Sequence, residues 1–442
     1  MAKVDKTREA FLPHALRDAG PATENAETVR AVEIEHRLLE RFLRYVQVDT
    51  TADDGSTGYP SSTGQLVLGR MLADELRAIG LDADQDQFGI VMATLPATCR
   101  GEAPVVGFNA HVDTSPETTG ANVRPQVWRN YDGRDLVLPG DASKIIRVTD
   151  NPELKELIGR TIITSDGTTL LGADDKAGLA VIMEAIAWLA EHPEIEHAPV
   201  RVLFTCDEEI GHGVDYVDLK KLAATVCYTL DGSGTNEIDV ETFSADLATV
   251  TVRGVNIHPS IGKGRMVNAV RVVADFLSRL PRDLSPEMTD GRQGFLHPYA
   301  IDGGVAEVRL KVLLRDFDTR KLADQAKAIH DAAAATRAAW PGCQVDVAVT
   351  PQYRNMADGL AREPRAVAYA EEAHRRLRRQ PHRTIVRGGT DGSRLTELGL
   401  PTPNLSTGEH NPHSPLEWTC LQEMAAAVEV VAMIARVWAE RS

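Results

Sequence analysis

The sequence predicts an α/β protein: a central mixed sheet with flanking helices, interrupted by a smaller inserted α+β domain. Up to residue 242, helical patterns alternate with short apolar, β-prone segments, and this alternation is typical of a sheet covered by helices. After residue 242, strands alternate apolar and polar side chains, as expected where one face of a sheet is exposed. The first pattern returns near residue 353, so the smaller unit is predicted to interrupt the larger one.

The elements of the larger unit follow from periodicity. Apolar residues at helical spacing predict helices at 32–46, 61–80 and 177–190. The second of these has Ser61 or Ser62 as its N-cap and Gly80 as its stop. Short apolar runs predict strands at 105–108, 200–204 and 225–230. Beyond the insertion we expect a helix at 365–379, a strand and loop at 384–390, and a long final helix from Leu416.

The inserted unit has the element order β-α-β-β-α-β, which is that of a ferredoxin-like domain. Its strands are predicted at 247–253, 295–301, 305–314 and 345–349, and its helices at 267–280 and 320–339. The expected division is therefore a polar amino-terminal extension at 1–30, a main domain in two parts at 31–242 and 353–442, and the insertion at 243–352.

Composition narrows the classes of function. The chain has 442 residues, of which 43% are hydrophobic, and a formal net charge of −16. That charge has the wrong sign for a nucleic-acid or anionic-membrane surface. The five cysteines are far apart without a CxxC pair, so we expect neither a disulfide framework nor a thiolate metal site. No secretion signal or membrane-spanning segment is recognised, and the expected location is the cytoplasm.

Acidic residues collect where predicted strands end. Three adjacent carboxylates, Asp207, Glu208 and Glu209, follow the strand at 200–204. Like charges this close repel one another, and burying them is unfavourable unless a cation or a proton neutralises them. The segment therefore indicates a bound cation. If one of two adjacent glutamates binds that cation, the other can face the cleft as a base.

Other segments supply further candidate ligands. His111 and Asp113 follow the first strand two residues apart, and the period of a strand directs both to the same side. Aspartates at 174–175 open a helix, Asp231 follows the third strand, and His413 lies in a polar loop. Taken alone, these residues have simpler explanations: a solvated loop for the first pair, helix capping for the aspartates, and a solvated histidine in the loop.

Taken together, these residues indicate a metal centre. Imidazole and carboxylate donors without thiolate suit Zn²⁺, with Mn²⁺ or Co²⁺ as alternatives. Two ions that share one carboxylate would account for the number of acids, and ions paired at about 3.5–4 Å activate water and polarise carbonyls in hydrolases. Because sites in α/β proteins form at strand ends, we expect these residues to meet at one edge of the sheet.

Several motifs extend this interpretation to a known family. They are FNAHVDTSPE, TLLGADDKAG, FTCDEEIGHG, YTLDGSG, GVNIHPS, SPEMTDGRQGF, LLRDF and RGGTDGS. In this order, over roughly residues 35–440, they resemble peptidase T, the family of tripeptide aminopeptidases among the co-catalytic zinc peptidases. The resemblance implies two Zn²⁺ per subunit, a short peptide as substrate, a catalytic main domain, and an inserted lid domain through which a homodimer forms.

The resemblance also implies roles for single residues. One zinc would be bound by His111 and Asp231, the other by Glu209 and His413, and both by the bridging carboxylate of Asp174. Glu208 would be the general base, and Asp113 would orient the first of these histidines. The peptide bond between the aspartates at 174 and 175 is expected to be cis.

Three more residues match positions for substrate recognition in this family. His258 in GVNIHPS would steady the developing oxyanion, often in the active site of a partner subunit. Arg315 in LLRDF and Arg387 in RGGTDGS would grip the terminal carboxylate of the peptide. Outside the resemblance, His258 is a loop histidine and Arg315 a surface ion pair with Asp316.

One loop departs from the family pattern. Where the family has a GGYNYHGKHE-like loop, this chain has GEHNPHSPLE, which keeps His413 and offers His410 as a weaker competitor for the ligand role. The expected activity is release of the amino-terminal residue of tripeptides. A related dipeptidase or N-acyl-amino-acid deacylase is the nearest alternative. A metal-binding protein without catalysis is more distant, because a storage site needs no base such as Glu208.

Overall fold

The computed structural model describes residues 21–440, with side chains from residue 33. Residues 1–20 of the predicted extension lie outside the described residues, and the first helix begins at Pro21 rather than at residue 32. The helices are α1 (Pro21–Tyr45), α2 (Thr63–Ala78), α3 (Ala173–Glu191), α4 (Leu219–Leu222), α5 (Ala269–Ser278), α6 (Lys321–Ala339), α7 (Ala357–Leu360), α8 (Arg365–Arg376), α9 (Asp391–Glu397) and α10 (Leu421–Glu440).

The strands include the predicted ones and several that the sequence did not reveal. They are β1 (Asp82–Gln85), β2 (Val91–Leu95), β3 (Val106–His111), β4 (Gln126–Trp128), β5 (Leu136–Val137), β6 (Ile145–Ile146), β7 (Ile162–Thr164), β8 (Val200–Thr205), β9 (Val226–Ser233), β10 (Glu237–Thr242), β11 (Ser244–Arg253), β12 (Phe295–Gly303), β13 (Glu307–Asp316), β14 (Gln344–Tyr353), β15 (His382–Val386), β16 (Asn404–His410) and β17 (Trp418–Cys420).

The chain divides into two compact units. The main unit comprises the described residues up to Val240, Gly359–Thr384 and those from Thr390 onward. The inserted unit comprises Glu241–Asp358 together with Ile385–Gly389. This second segment carries Arg387 and falls in the range expected for the main domain (353–442), because so short a stretch has no periodicity that would assign it.

The main unit contains the mixed sheet that the sequence predicted. Its strand order is β1-β2-β8-β3-β9-β16-β17-β7-β4. The pairs β8–β3, β3–β9 and β9–β16 are parallel, so their carboxyl ends meet at one edge. Every residue of β3 is buried, which explains why its sequence does not alternate between buried apolar and exposed polar residues.

Helix α3 is the central helix of the main unit and is buried along most of its length. It packs against β3, β9, α1 and α10. Gly178 permits close approach to β9, since a Cβ there would lie 2.1 Å from the Leu230 carbonyl oxygen. The buried carboxylate of Glu184 forms ion pairs with Arg37 at 2.6 Å and Arg41 at 3.1 Å, which tie α1 to α3.

The inserted unit confirms the predicted ferredoxin-like order. Its antiparallel sheet has the order β12-β13-β11-β14, and α5 and α6 pack on that sheet. The core includes Val250, Phe276, Leu310 and Ile329. Arg309 and Lys311 of β13 point away from this core and are exposed, as the alternating pattern indicates.

The last part of the main unit differs from the prediction. The final helix begins at Leu421 rather than Leu416, because Trp418–Cys420 forms β17 and pairs with β7. Strand β16 was missed because its interior positions hold polar residues such as Asn404 and Thr407, which are buried with hydrogen-bond partners. In the part of the chain that the structure describes, no helix is both long and apolar enough to cross a membrane.

Candidate metal centre

The predicted ligands come together at the carboxyl edge of the parallel strands. His111 ends β3, the acidic turn follows β8, Asp231 lies in β9, and His413 follows β16. The beginning of α3 brings Asp174 to the same place. These residues are far apart in sequence, and the parallel pairing is what joins them.

The carboxylate of Asp174 lies between two imidazoles. Its Oδ1 is 3.0 Å from His111 Nε2, and its Oδ2 is 3.2 Å from His413 Nε2. His111 Nε2 is also 3.8 Å from Asp231 Oδ1, and His413 Nε2 is 2.9 Å from Glu209 Oε2. One carboxylate thus presents an oxygen to each of two groups of donors, which is the arrangement that a bridging ligand requires.

Asp113 holds the acidic turn in place. Its Oδ1 and Oδ2 accept the backbone N–H groups of Glu208 and Glu209, each at 3.1 Å. The same carboxylate lies 3.3 Å from His111 Nδ1, as expected of a residue that orients this ring. Asp207 turns away from the site, because its carboxylate accepts hydrogen bonds from Ser61 and from the Gln65 side chain.

The two aspartates that open α3 have different surroundings. The peptide bond between Asp174 and Asp175 is cis, as the resemblance implies. Asp175 accepts the backbone N–H groups of His111 at 3.0 Å and Gly178 at 3.1 Å, so Asp175 is the one that caps the helix. Glu417 accepts the backbone N–H of Asp174 at 3.1 Å. Capping therefore does not explain the Asp174 carboxylate.

Further acidic residues belong to this region and were missed. The carboxylate of Glu409 is buried, and one of its oxygens lies within 4.8 Å of oxygens of Asp174 and Asp231. Asp391 is buried and accepts a hydrogen bond from Thr205. The motifs GEHNPHSPLE and RGGTDGS contain these acids, but neither spacing nor periodicity distinguishes them from solvated loop residues.

Burial and crowding shift the acid–base equilibria of the centre. Burial raises the pKa of Glu209 to about 8 and that of Asp231 to about 7, with the negative charge of Asp174 adding to both. Burial opposes ionisation of Asp174 as well, but hydrogen bonds from His111 and His413 outweigh it and lower the pKa of Asp174. Without a cation, Glu209 and Asp231 therefore hold their protons to higher pH than ordinary carboxyls, whereas Asp174 stays ionised.

The donors fit divalent cations. There are three groups in which the candidate ligand atoms all lie within 4.8 Å of one another, namely His111–Asp175–Asp231, His111–Asp174–Glu209 and Asp174–Asp231–Glu409. Glu209 Oε1 is buried and has no hydrogen-bond partner among the described residues. An ionised oxygen in that position is unfavourable unless a cation binds it.

His410 has other contacts. Its ring stacks on Trp418 with centroids 3.6 Å apart, and its Nε2 lies 2.8 Å from Glu423 Oε2. His413 Nε2, by contrast, lies 3.2 Å from Asp174 Oδ2 and 2.9 Å from Glu209 Oε2. These contacts favour His413 over His410 as the ligand from this loop.

The three predicted substrate-binding residues lie in the inserted unit. His258 is exposed, and its Nδ1 accepts the backbone N–H of Ser260 at 3.3 Å. Arg315 is 8% exposed, and its Nη1 donates to the carbonyl oxygens of Asp246 and Leu314. The surface pair of Arg315 with Asp316 is not formed among the described residues, where Asp316 pairs with Lys321.

Arg387 forms hydrogen bonds within the inserted unit that the sequence did not indicate. Its Nη1 donates to the carbonyl oxygens of Gly291 at 2.8 Å and Gln293 at 2.9 Å, and its Nη2 donates to Thr289 Oγ1 at 3.0 Å. The guanidinium also lies over the ring of Phe243, 5.3 Å from its centroid. Arg387 therefore fixes the turn at residues 289–293, which lies within the motif SPEMTDGRQGF.

Comparison with known proteins extends these observations. Residues 167–437 match the sequence model of "Peptidase family M20/M25/M40". A protein named peptidase T from Geobacillus thermodenitrificans is 42% identical over 410 residues, which cover 92% of this chain and all of that protein. Solved structures of aminopeptidase PepT from Bacillus cereus and of a tripeptidase from Staphylococcus aureus superimpose with TM-scores of 0.69 and 0.71. Each is 25% identical and covers 92% of this chain and 99% of its own.

Proposed function

Because the chain belongs to the M20 peptidases and, within them, to the peptidase T family, we propose that it is a metal-dependent aminopeptidase that releases the amino-terminal residue of tripeptides. Family membership over 92% of the chain supports the reaction class. The single structural observation that carries the proposal is the position of the Asp174 carboxylate between His111 and His413.

The ligands would form two groups that share Asp174. One ion would be held by His111 and Asp231, and the other by Glu209 and His413. Nitrogen and oxygen donors of this kind suit Zn²⁺, with Mn²⁺ and Co²⁺ as alternatives. Such ions, when bound, would supply Lewis acidity at the scissile carbonyl and lower the pKa of a water molecule toward about 7.

Glu208 is the proposed general base. Its backbone is fixed by the hydrogen bond to Asp113, and burial raises the pKa of its carboxyl well above the usual range, so its carboxylate is a better proton acceptor than an exposed one. Glu208 would accept the proton of the attacking water and then donate it to the nitrogen of the departing amine. The water oxygen would first bond to the carbonyl carbon, and the C–N bond would break once the nitrogen has accepted the proton from Glu208.

The inserted unit would contribute substrate recognition. Since Nδ1 of His258 accepts a backbone N–H, the neutral imidazole carries its proton on Nε2. That N–H is the donor that a developing oxyanion needs. We assign the terminal carboxylate of the peptide to Arg315 and Arg387, the latter also through the turn at 289–293 that it holds. A homodimer formed by this unit, and a cytoplasmic location, belong to the same proposal.

Substitution of Glu208 tests the mechanism. Glu208→Gln keeps the shape of the side chain but cannot accept a proton, so turnover of a tripeptide should fall by about 10²–10⁴-fold while bound metal per chain stays unchanged. The matched control is the neighbouring Glu209→Gln, which should lose metal as well as turnover. Full activity of Glu208→Gln would contradict the assigned base. Equal turnover of di-, tri- and tetrapeptides by the native enzyme would contradict tripeptide specificity.

A further inference from the structure

We infer that Glu409 is an additional ligand of the ion held by His111 and Asp231, so that this ion has three carboxylate ligands rather than two. The inference rests on the proposed metal centre but not on the peptidase reaction. It concerns the loop GEHNPHSPLE, in which this chain departs from the family pattern.

The backbone of β16 directs Glu409 into the centre. The parallel pairing of β16 with β9 shifts register between Ser406 and Glu409, and such a shift re-aims the side chains that follow it. Gly408 adopts φ +86°, and a Cβ there would lie 2.9 Å from the side chain of Glu423. His410, which follows Glu409 in the chain, instead contacts Trp418 and Glu423.

The carboxylate of Glu409 is buried beside other carboxylates, without a lysine or arginine partner among the described residues. Its side chain is only 3% exposed, and Oε1 accepts a hydrogen bond of 2.6 Å from Thr407. No lysine or arginine among the described residues forms an ion pair with Glu409, whereas carboxylate oxygens of Asp174 and Asp231 lie within 4.8 Å of it. A buried carboxylate that faces two others is unfavourable unless a cation lies among them.

An independent observation on the other side of Asp174 also indicates a bound cation. The buried Glu209 Oε1 has no hydrogen-bond partner among the described side chains and backbone groups. Since Asp174 belongs both to the group with Glu209 and to the group with Glu409, buried acidic side chains flank the proposed bridging carboxylate on two sides. This is expected if each side binds its own ion.

A third carboxylate would change the chemistry of one ion. That ion would have one nitrogen and three carboxylate ligands, whereas its neighbour would have His413, Glu209 and Asp174. Oxygen-rich sets favour Mn²⁺ relative to the nitrogen- and sulfur-rich sets that suit zinc. We therefore expect the two ions to differ in preference, with the Glu409 side the more tolerant of Mn²⁺.

Metal titration of Glu409→Gln tests the inference without reference to activity. Metal-free protein is titrated with Mn²⁺ and, separately, with Zn²⁺ in competition with a chromophoric chelator, and bound metal per chain is counted by mass spectrometry. We expect Mn²⁺ affinity at one site to fall by about 10–100-fold, Zn²⁺ affinity to fall less, and the other site to be unchanged. Glu423→Gln is the matched control, because Glu423 is a neighbouring, partly buried acid outside the metal-capable groups. The metal affinities of this variant should equal those of the native protein.

The outcomes separate this inference from the proposed function. Two ions per native chain with unaltered affinities in Glu409→Gln would overturn the role of Glu409 and leave the peptidase centre intact. A native protein that binds no ion would overturn both. If Glu409→Gln does not fold, Glu409→Asp is used instead, because it keeps the charge but has a shorter side chain that moves the carboxylate away from the ion. Unaltered Mn²⁺ affinity in folded Glu409→Asp would also overturn the inference.

Discussion

Neighbouring acids in this chain have different surroundings, and single residues decide which can bind a cation. Asp207, at φ +60°, accepts hydrogen bonds from Ser61 and Gln65. The backbone N–H groups of Glu208 and Glu209 instead donate to Asp113. The sequence places three carboxylates together but contains no signal for this turn. The hydrogen bonds that select among them come from residues distant in the chain.

The shifted acids predict how stability depends on pH in the metal-free protein. The pKa values of Glu209 at about 8 and Asp231 at about 7 lie above their ordinary values of 4.5 and 3.8, so the folded state retains protons that the unfolded state releases. The contribution of these two groups to stability is therefore fully present below about pH 4 and is lost as pH rises to about 8. His413, raised to about 11 from 6.5 mainly by Asp174 and Glu209 against the effect of burial, acts in the same direction, since its contribution is lost as pH rises.

Urea unfolding at about pH 5, 7 and 9, with and without added Zn²⁺, measures this effect. We expect the free energy of unfolding of the metal-free protein to decrease over this series. The increment from zinc should grow, because metal binding requires deprotonated ligands. Stability of the metal-free protein that increases between about pH 5 and 8 would contradict the crowding of acids described above.

At the scale of elements, the site depends on the parallel strands β3, β9 and β16 and on how closely α3 approaches them. Periodicity located β3, β9 and most of α3, because their interiors are apolar. It did not locate β16, whose buried Asn404 and Thr407 form hydrogen bonds rather than an apolar pattern. Glu409 was missed for the same reason: its burial follows from a strand register that only the folded sheet defines.

Gly178→Ala tests the close packing of α3 on β9. The new methyl group would meet the Leu230 carbonyl oxygen at 2.1 Å and Asp175 Oδ1 at 2.2 Å, so helix and strand must separate. We expect a loss of about 1–3 kcal/mol in the free energy of unfolding, together with weaker metal binding, because Asp174 and Asp231 lie on the two elements that move apart. Chemical denaturation and metal titration measure both effects.

Gly304→Ala is the control for this substitution, since a Cβ there meets nothing within 4 Å. It should change stability by less than about 0.5 kcal/mol. Native stability and native metal affinity in Gly178→Ala would show that the approach of α3 to β9 does not position the ligands.

At the scale of the whole molecule, the chain combines a main unit that carries every proposed metal ligand with an inserted unit that carries His258, Arg315 and Arg387. The order of elements in the inserted unit was predictable, because each of its helices and strands has a clear period, whereas several strands of the main unit were not predicted. The return of residues 385–389 to the inserted unit was not predicted either. The position of residues 385–389 in the inserted unit is supported by the hydrogen bonds of Arg387 to the turn at 289–293. No local sequence pattern predicts these bonds.

The most direct measurement is the number of divalent ions bound per chain after equilibrium dialysis of the folded, metal-free protein against Zn²⁺, with tripeptide hydrolysis followed in the same samples. We expect two ions per chain, activity that rises with occupancy, and loss of both on chelation. A folded chain that binds no ion at saturating Zn²⁺, or that hydrolyses tripeptides equally well without one, would contradict the central claim that the crowded carboxylates of this protein are stable together because cations lie among them.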